Sequence, residues 1–142
     1  MAEELLRKTY EVRGRDFENA GASATEIKQV LKALEIDTDV IHRAVVIAFE
    51  AEMNVVMYAD AGTLSLVLTD EDIRLEMADE GPGIEDIELA LTEGYSTATD
   101  EMREMGFGFG MGLPNIRKNA DKFGIDSKVG TGTTVSAQVR LE

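Results

Sequence analysis

Apolar residues recur along this chain with two periods. Between Asp16 and Leu34 the recurrence is three and four residues, which puts Ile27, Val30, Leu31 and Leu34 on one helix face. The early stretch NAGASATE is only weakly apolar, and Ser23 with Glu26 has the spacing of a capping box that would start the helix later. Residues 40–58, VIHRAVVIAFEAEMNVVMY, carry apolar side chains on most faces, and Thr38 or Asp39 can cap them. A helix that is apolar nearly all round is a buried one.

Strand-like runs occupy residues 8–13, 62–69, 73–78, 126–129 and 133–141. The last alternates well, with Val135, Ala137, Val139 and Leu141 opposite Ser136, Gln138 and Arg140. Thr69 to Asp72 reads as a hairpin turn, residues 84–92 as a short helix and 113–123 as another. The order is strand, two helices, hairpin, small helix, helix, hairpin. It segregates helices from strands and predicts a two-layer α/β sandwich (α+β) with its helices on one sheet face. No repeat or low-complexity linker interrupts the pattern, so residues 1–142 read as one domain.

Composition alters the functional picture more than the structural one. The chain has 14 Lys+Arg against 28 Asp+Glu, a formal net charge of −14. Nucleic acid and anionic membranes are bound through Lys/Arg fields, so neither is an expected partner. There is no cysteine, which removes disulfides, thiolate zinc sites and cysteine nucleophiles. A single histidine, His42, leaves no poly-His metal site, and Ser-His-Asp chemistry is nearly excluded. His42 itself is expected to pack in the core or an interface. The opening MAEELLRKTY lacks the apolar core of a signal peptide, and no run approaches a membrane span of about 20 residues. A cytoplasmic protein is expected.

Three clusters carry candidate chemistry. Glu50 and Asn54 stand at i, i+4 on the buried helix, hence on one face. A carboxylate beside a neutral amide oxygen suits a hard cation such as Mg²⁺, or a general base beside a metal held by the amide. The alternative is a hydrogen-bonded polar pair, or a solvated stripe continued by Glu52. Asp79-Glu80-Gly81-Pro82-Gly83 follows a strand directly. Its glycines allow close backbone approach, and an acidic residue at a strand end can accept from an exocyclic amine such as that of adenine. The alternative is an ordinary tight turn. In Met105-Gly106-Phe107-Gly108-Phe109-Gly110-Met111-Gly112-Leu113, alternating glycines precede a helix, where exposed N–H groups and the helix start make an anion site. The alternative is a flexible hinge. The segment is neither a P-loop nor a dinucleotide fingerprint. Gly130-Thr131-Gly132-Thr133, entering the last strand, reads in isolation as a hairpin turn.

Taken in order, E-x-x-x-N on a helix, D-x-G-x-G after a strand, G-x-G-x-G before a helix and G-T entering a strand resemble the GHKL (Bergerat-fold) ATPase/kinase superfamily. The resemblance runs from about Glu50 to Val135. MYADAG, DEGPGI, GYST and GMGLPNIRK are similar to the small anti-sigma regulatory factor and serine-kinase branch, of RsbT type. It implies a Bergerat-type ATP-binding fold with a mixed, mostly antiparallel sheet, and ATP and Mg²⁺ as cofactors. Glu50 would be the general base, Asn54 the Mg²⁺ ligand, and Asp79 the acceptor for the adenine amine, assisted by Thr133 with water. Gly81 and Gly83 would let the backbone approach the nucleotide. Gly108, Gly110, Met111, Gly112 and Leu113 would border the phosphates, with Asn115 at the start of the same helix. Residues 85–107 would form a lid.

That lid is acidic, with Glu85, Asp86, Glu88, Glu93, Asp100, Glu101 and Glu104 against Arg103 alone. Gly108 stands where several relatives carry a basic residue, and Gly106-Phe107 is an extra element. The resemblance implies a serine/threonine protein kinase acting on a STAS-domain antagonist. A sigma factor or a PP2C-type phosphatase is a further candidate partner, and a homodimer is compatible with it. The alternative is a non-catalytic, ATP-dependent regulatory binder. A histidine kinase would need a phosphoacceptor histidine on a separate dimerisation helix, and gyrase- or Hsp90-like machines need additional domains.

Overall fold

The computed structural model describes residues 3–92 and 112–142. In chain order its elements are β1 (Glu4–Arg13), α1 (Ala22–Ala33), α2 (Thr38–Tyr58), β2 (Ala61–Thr69), β3 (Asp72–Glu80), α3 (Ile87–Ala90), α4 (Gly112–Asn119), β4 (Lys122–Lys128) and β5 (Gly132–Arg140). The strands form one sheet in the order β1-β2-β3-β5-β4. Every neighbouring pair is antiparallel, so the mostly antiparallel sheet that the resemblance implies is here wholly so. The two-layer α+β arrangement is as the sequence implies.

Period-two alternation sets the buried face. Leu64, Leu66 and Leu68 of β2, Ile73, Leu75 and Met77 of β3, and Val135, Ala137 and Val139 of β5 are all buried. Their cross-strand partners agree: Leu66 lies opposite Leu75, and Leu75 opposite Ala137. Against this face pack Ile27 and Leu31 of α1 and Ile47, Val55 and Val56 of α2. Each such side chain contributes on the order of 2 kcal/mol by leaving water. Asp79 and Thr133 follow the same alternation, so both lie on the helix side, at the end of the sheet where β3 stops and β5 begins.

Several boundaries differ from the sequence reading. Asp37, not Thr38 or Asp39, caps α2 by accepting from the Asp39 N–H at 2.9 Å. The α1 helix starts late, at Ala22 after Gly21, and has no side-chain cap of its own. The helix expected over 84–92 is the single turn α3. The α4 helix ends at Asn119, and Lys122 and Phe123 belong to β4, because Phe123 pairs with Ala137 and the sheet ladder claims them. His42 is exposed, so it is no core residue. Among the described residues no helix is long and apolar enough to cross a membrane.

Candidate functional site

The α2 helix bears the first pair of candidates. Glu50 and Asn54 are half-buried on one face of it, and that face meets the start of α4. A methyl group added at Gly112 would stand 3.1 Å from Asn54 Oδ1 and 3.3 Å from Glu50 Oε2. The two polar side chains and the glycine therefore border one small cradle. Burial raises the Glu50 carboxyl above its ordinary range, which is the direction that suits a proton acceptor working near neutrality.

Why α4 begins there is explained at its other end. Arg43, two turns before Glu50, donates through Nε to the Asn119 carbonyl at 2.9 Å and pairs through Nη2 with Asp121 at 3.1 Å. A cation at the last carbonyls of a helix satisfies one of them and complements the dipole. Asn119 Nδ2 donates back to the Asn115 carbonyl at 2.8 Å and closes the last turn.

Glu52 is not part of a solvated stripe. It is 2% exposed and points to the other side of α2, where it accepts from the backbone N–H groups of Gly21 (3.0 Å), Ala24 (3.2 Å) and Ser23 (3.5 Å). The free donors of the first turn of α1 are thus met by a carboxylate from α2 rather than by a local cap. Burial raises the Glu52 carboxyl, and these three N–H donors partly oppose that.

The second group lies at the sheet end. Asp79 Oδ1 accepts from the Thr133 N–H at 3.0 Å, leaving Oδ2 without a partner among the described residues. Burial raises the Asp79 carboxyl, and the bond from Thr133 lowers it. Gly132 passes close under Asp79 at φ +149°, where any Cβ would collide with the Asp79 carbonyl. Gly83, at φ +77°, likewise passes against the Lys128 carbonyl. The loop after β3 is docked onto the β4–β5 turn by Gly130 N–H to the Pro82 carbonyl, 2.8 Å, and by Ile84 N–H to Ser127 Oγ, 2.7 Å. Ser127 Oγ also lies 2.8 Å from Thr133 Oγ1.

The two groups are joined by α2. Its C-cap, Ala59, lies against Gly81, with a Cβ at that glycine 3.1 Å from both the Ala59 Cβ and Asp79 Oδ1. From Glu50 to Ala59 the helix axis advances about 13 Å, so the cradle and the Asp79 end stand at two marks on one rod. The donor set fits an extended ligand with an amine at one end and a hard cation with anionic groups at the other. Asp79 offers a lone acceptor, and Asn54 a neutral oxygen beside a carboxylate. Leu113 and Asn115 lie in the first half of α4. Gly108, Gly110 and Met111, with lid residues 93–107, lie outside the described residues.

Arg43, Glu52 and Ser127 escaped the sequence reading. For the first two a signal existed, charged residues inside a helix otherwise apolar nearly all round. A lone serine before a hairpin turn gives none.

Residues 39–142 match the family described as histidine kinase-, DNA gyrase B- and HSP90-like ATPase. The chain is 29% identical over 92 residues to serine/threonine-protein kinase RsbT of Bacillus subtilis, covering 62% of this chain and 63% of that protein. It is 31% identical over 91 residues to an anti-sigma F factor of Caldanaerobacter subterraneus, covering 61% and 60%. With an anti-sigma F factor of Clostridium acetobutylicum it shares 33% over 73 residues, 51% and 48%. The chain thus spans less than two thirds of the length of each of these relatives. The family match, in contrast, takes in α2, α4 and every strand but the first, and on it the chain belongs to the histidine kinase-, DNA gyrase B- and HSP90-like ATPases.

Proposed function

We propose that this protein is an ATP-dependent serine/threonine protein kinase that phosphorylates a small STAS-domain antagonist in a partner-switching pathway. The observation that supports the reading best is the pairing of Glu50 and Asn54 around Gly112 on the helix that also reaches Asp79. Asp79 Oδ2 would accept from the adenine amine, with Thr133 beside it. Gly81 and Gly83 bring backbone close to the base, and Gly112 with Leu113 would border the phosphates at the start of α4. Asn54 would hold Mg²⁺, which supplies charge neutralisation at the phosphates. Glu50 would take the proton of the attacking hydroxyl as its oxygen bonds the terminal phosphorus, with ADP leaving. The chain's strongly acidic balance is compatible with this ligand, since backbone N–H groups and a cation meet the phosphates. The same balance favours a partner with a basic docking face.

A second reading, a non-catalytic regulatory binder with a sigma factor or a PP2C-type phosphatase as partner, is favoured by the acidic run of residues 85–107, which carries Arg103 as its only cation. Two measurements separate the readings: ATP affinity with and without Mg²⁺, and transfer of radiolabelled γ-phosphate to purified STAS-domain proteins. The kinase reading expects Mg²⁺-dependent binding and label on a serine or threonine of one of them. Binding with no label on any would leave the regulatory reading. No binding removes both.

A further inference from the structure

The geometry points to Ser127 as the positioning residue that makes the Thr133 hydroxyl a hydrogen-bond donor towards the nucleobase, a step that rests on the nucleotide reading above. Ser127 Oγ is held in place by the Ile84 N–H, which donates to it at 2.7 Å. Its single proton has two acceptors in reach, Thr133 Oγ1 at 2.8 Å and the Gly132 carbonyl at 3.4 Å. The shorter contact is the stronger, and the longer is near the limit of a hydrogen bond. With the Ser127 proton on Thr133 Oγ1, one lone pair of Thr133 is filled and its own proton is left for something else. Among the described residues that hydroxyl has no other partner, and Thr133 is 8% exposed.

Either hydroxyl can donate across the 2.8 Å contact; with Ser127 as the donor, the chain runs one way, from Ile84 N–H to the Ser127 hydroxyl to the Thr133 hydroxyl, whose own proton is then left for the nucleobase. Beside its end, Asp79 Oδ1 is occupied by the Thr133 N–H, which leaves Oδ2 as the acceptor without a partner among the described residues. An acceptor next to a donor complements the amine and ring nitrogen N1 of adenine. Guanine offers a carbonyl and an N–H at those places and meets like with like. Asp79 by itself would select for an amine; the direction imposed by Ser127 adds the second half of the discrimination. Loss of that direction frees Thr133 to turn its proton elsewhere and leaves N1 opposite a lone pair.

The test compares ATP with 1-deaza-ATP, in which N1 is replaced by C–H and the amine is kept, on the full chain with Mg²⁺. In the wild type the missing acceptor should weaken binding about tenfold, one hydrogen bond's worth. Ser127→Ala should cut that ratio to about twofold or less, and Ser127→Thr, which keeps the hydroxyl, should restore it. A merely structural role would weaken both nucleotides equally and leave the ratio at its wild-type value, which overturns the inference. If Ser127→Ala does not fold, Ser127→Cys replaces it. Its thiol is a weak donor, so the ratio should shrink, and an undiminished ratio overturns the inference. Wild-type protein that binds neither nucleotide refutes the nucleotide reading itself. Wild-type protein that binds both equally well refutes the role of the hydroxyl pair alone.

Discussion

On the kinase reading, two side chains four residues apart would separate chemistry from binding. Glu50→Gln keeps the shape of the cradle and removes the proposed proton acceptor, so Mg-ATP affinity should stay while phosphate transfer falls at least ~100-fold. Normal transfer by that variant means another group takes the proton. Asn54→Ala should weaken nucleotide binding about tenfold, and only when Mg²⁺ is present; an equal loss without metal would contradict its role as ligand. Because burial raises the Glu50 carboxyl, transfer should climb with pH through a value above the ordinary glutamate range. Stability runs the other way. Burial also raises Glu52 and Asp79, so the folded protein holds these protons more tightly than the unfolded chain does. Their contribution is fully present below the ordinary carboxyl range and is lost as pH rises through the raised values. Denaturant midpoints should therefore fall as pH rises above the ordinary carboxyl range, as far as these three groups decide it, while transfer rises.

At the scale of elements, Glu52 decides whether α1 has a defined beginning. Glu52→Ala would strip three N–H groups of their acceptor inside the protein, and about 2–3 kcal/mol of stability should go with them, read by denaturant unfolding. Glu52→Gln, which keeps one acceptor oxygen, should cost less. A loss within error of zero for Glu52→Ala would mean that water replaces the carboxylate. The same residue shows what could be read beforehand and what could not. The α2 helix was legible because its apolar pattern runs through many turns, and the spacing of Glu50 and Asn54 fixed their common face. Spacing could not say what the opposite face touches. The partner of Glu52 lies about 30 residues away in sequence, and only packing brings it there. The end of α4 was lost for a related reason. Lys122 and Phe123 continue a helical pattern locally, but pairing with β5 outweighs propensity. Asp79 and Thr133 were legible as separate motifs, while the bond between them depends on a sheet order that puts β5 beside β3.

For the molecule as a whole, the excess of 28 acidic over 14 basic residues acts as self-repulsion. Monovalent salt should therefore stabilise it: from about 20 to about 300 mM NaCl, the Tm should rise, because screening shortens the reach of like charges. A falling Tm would show that the paired charges outweigh the net one. The strand order has a consequence of its own for how the protein comes into being. On the ribosome, β3 appears long before its neighbour β5, and some fifty residues must be added before Thr133 can meet Asp79. Until then Asp79 stands at an unfinished edge, and the end of the site that would grip a nucleobase does not exist. A nascent chain is thus unable to engage the ligand early, and pulse-labelled ribosome-bound intermediates that stop before residue 132 should gain no protease resistance from ATP.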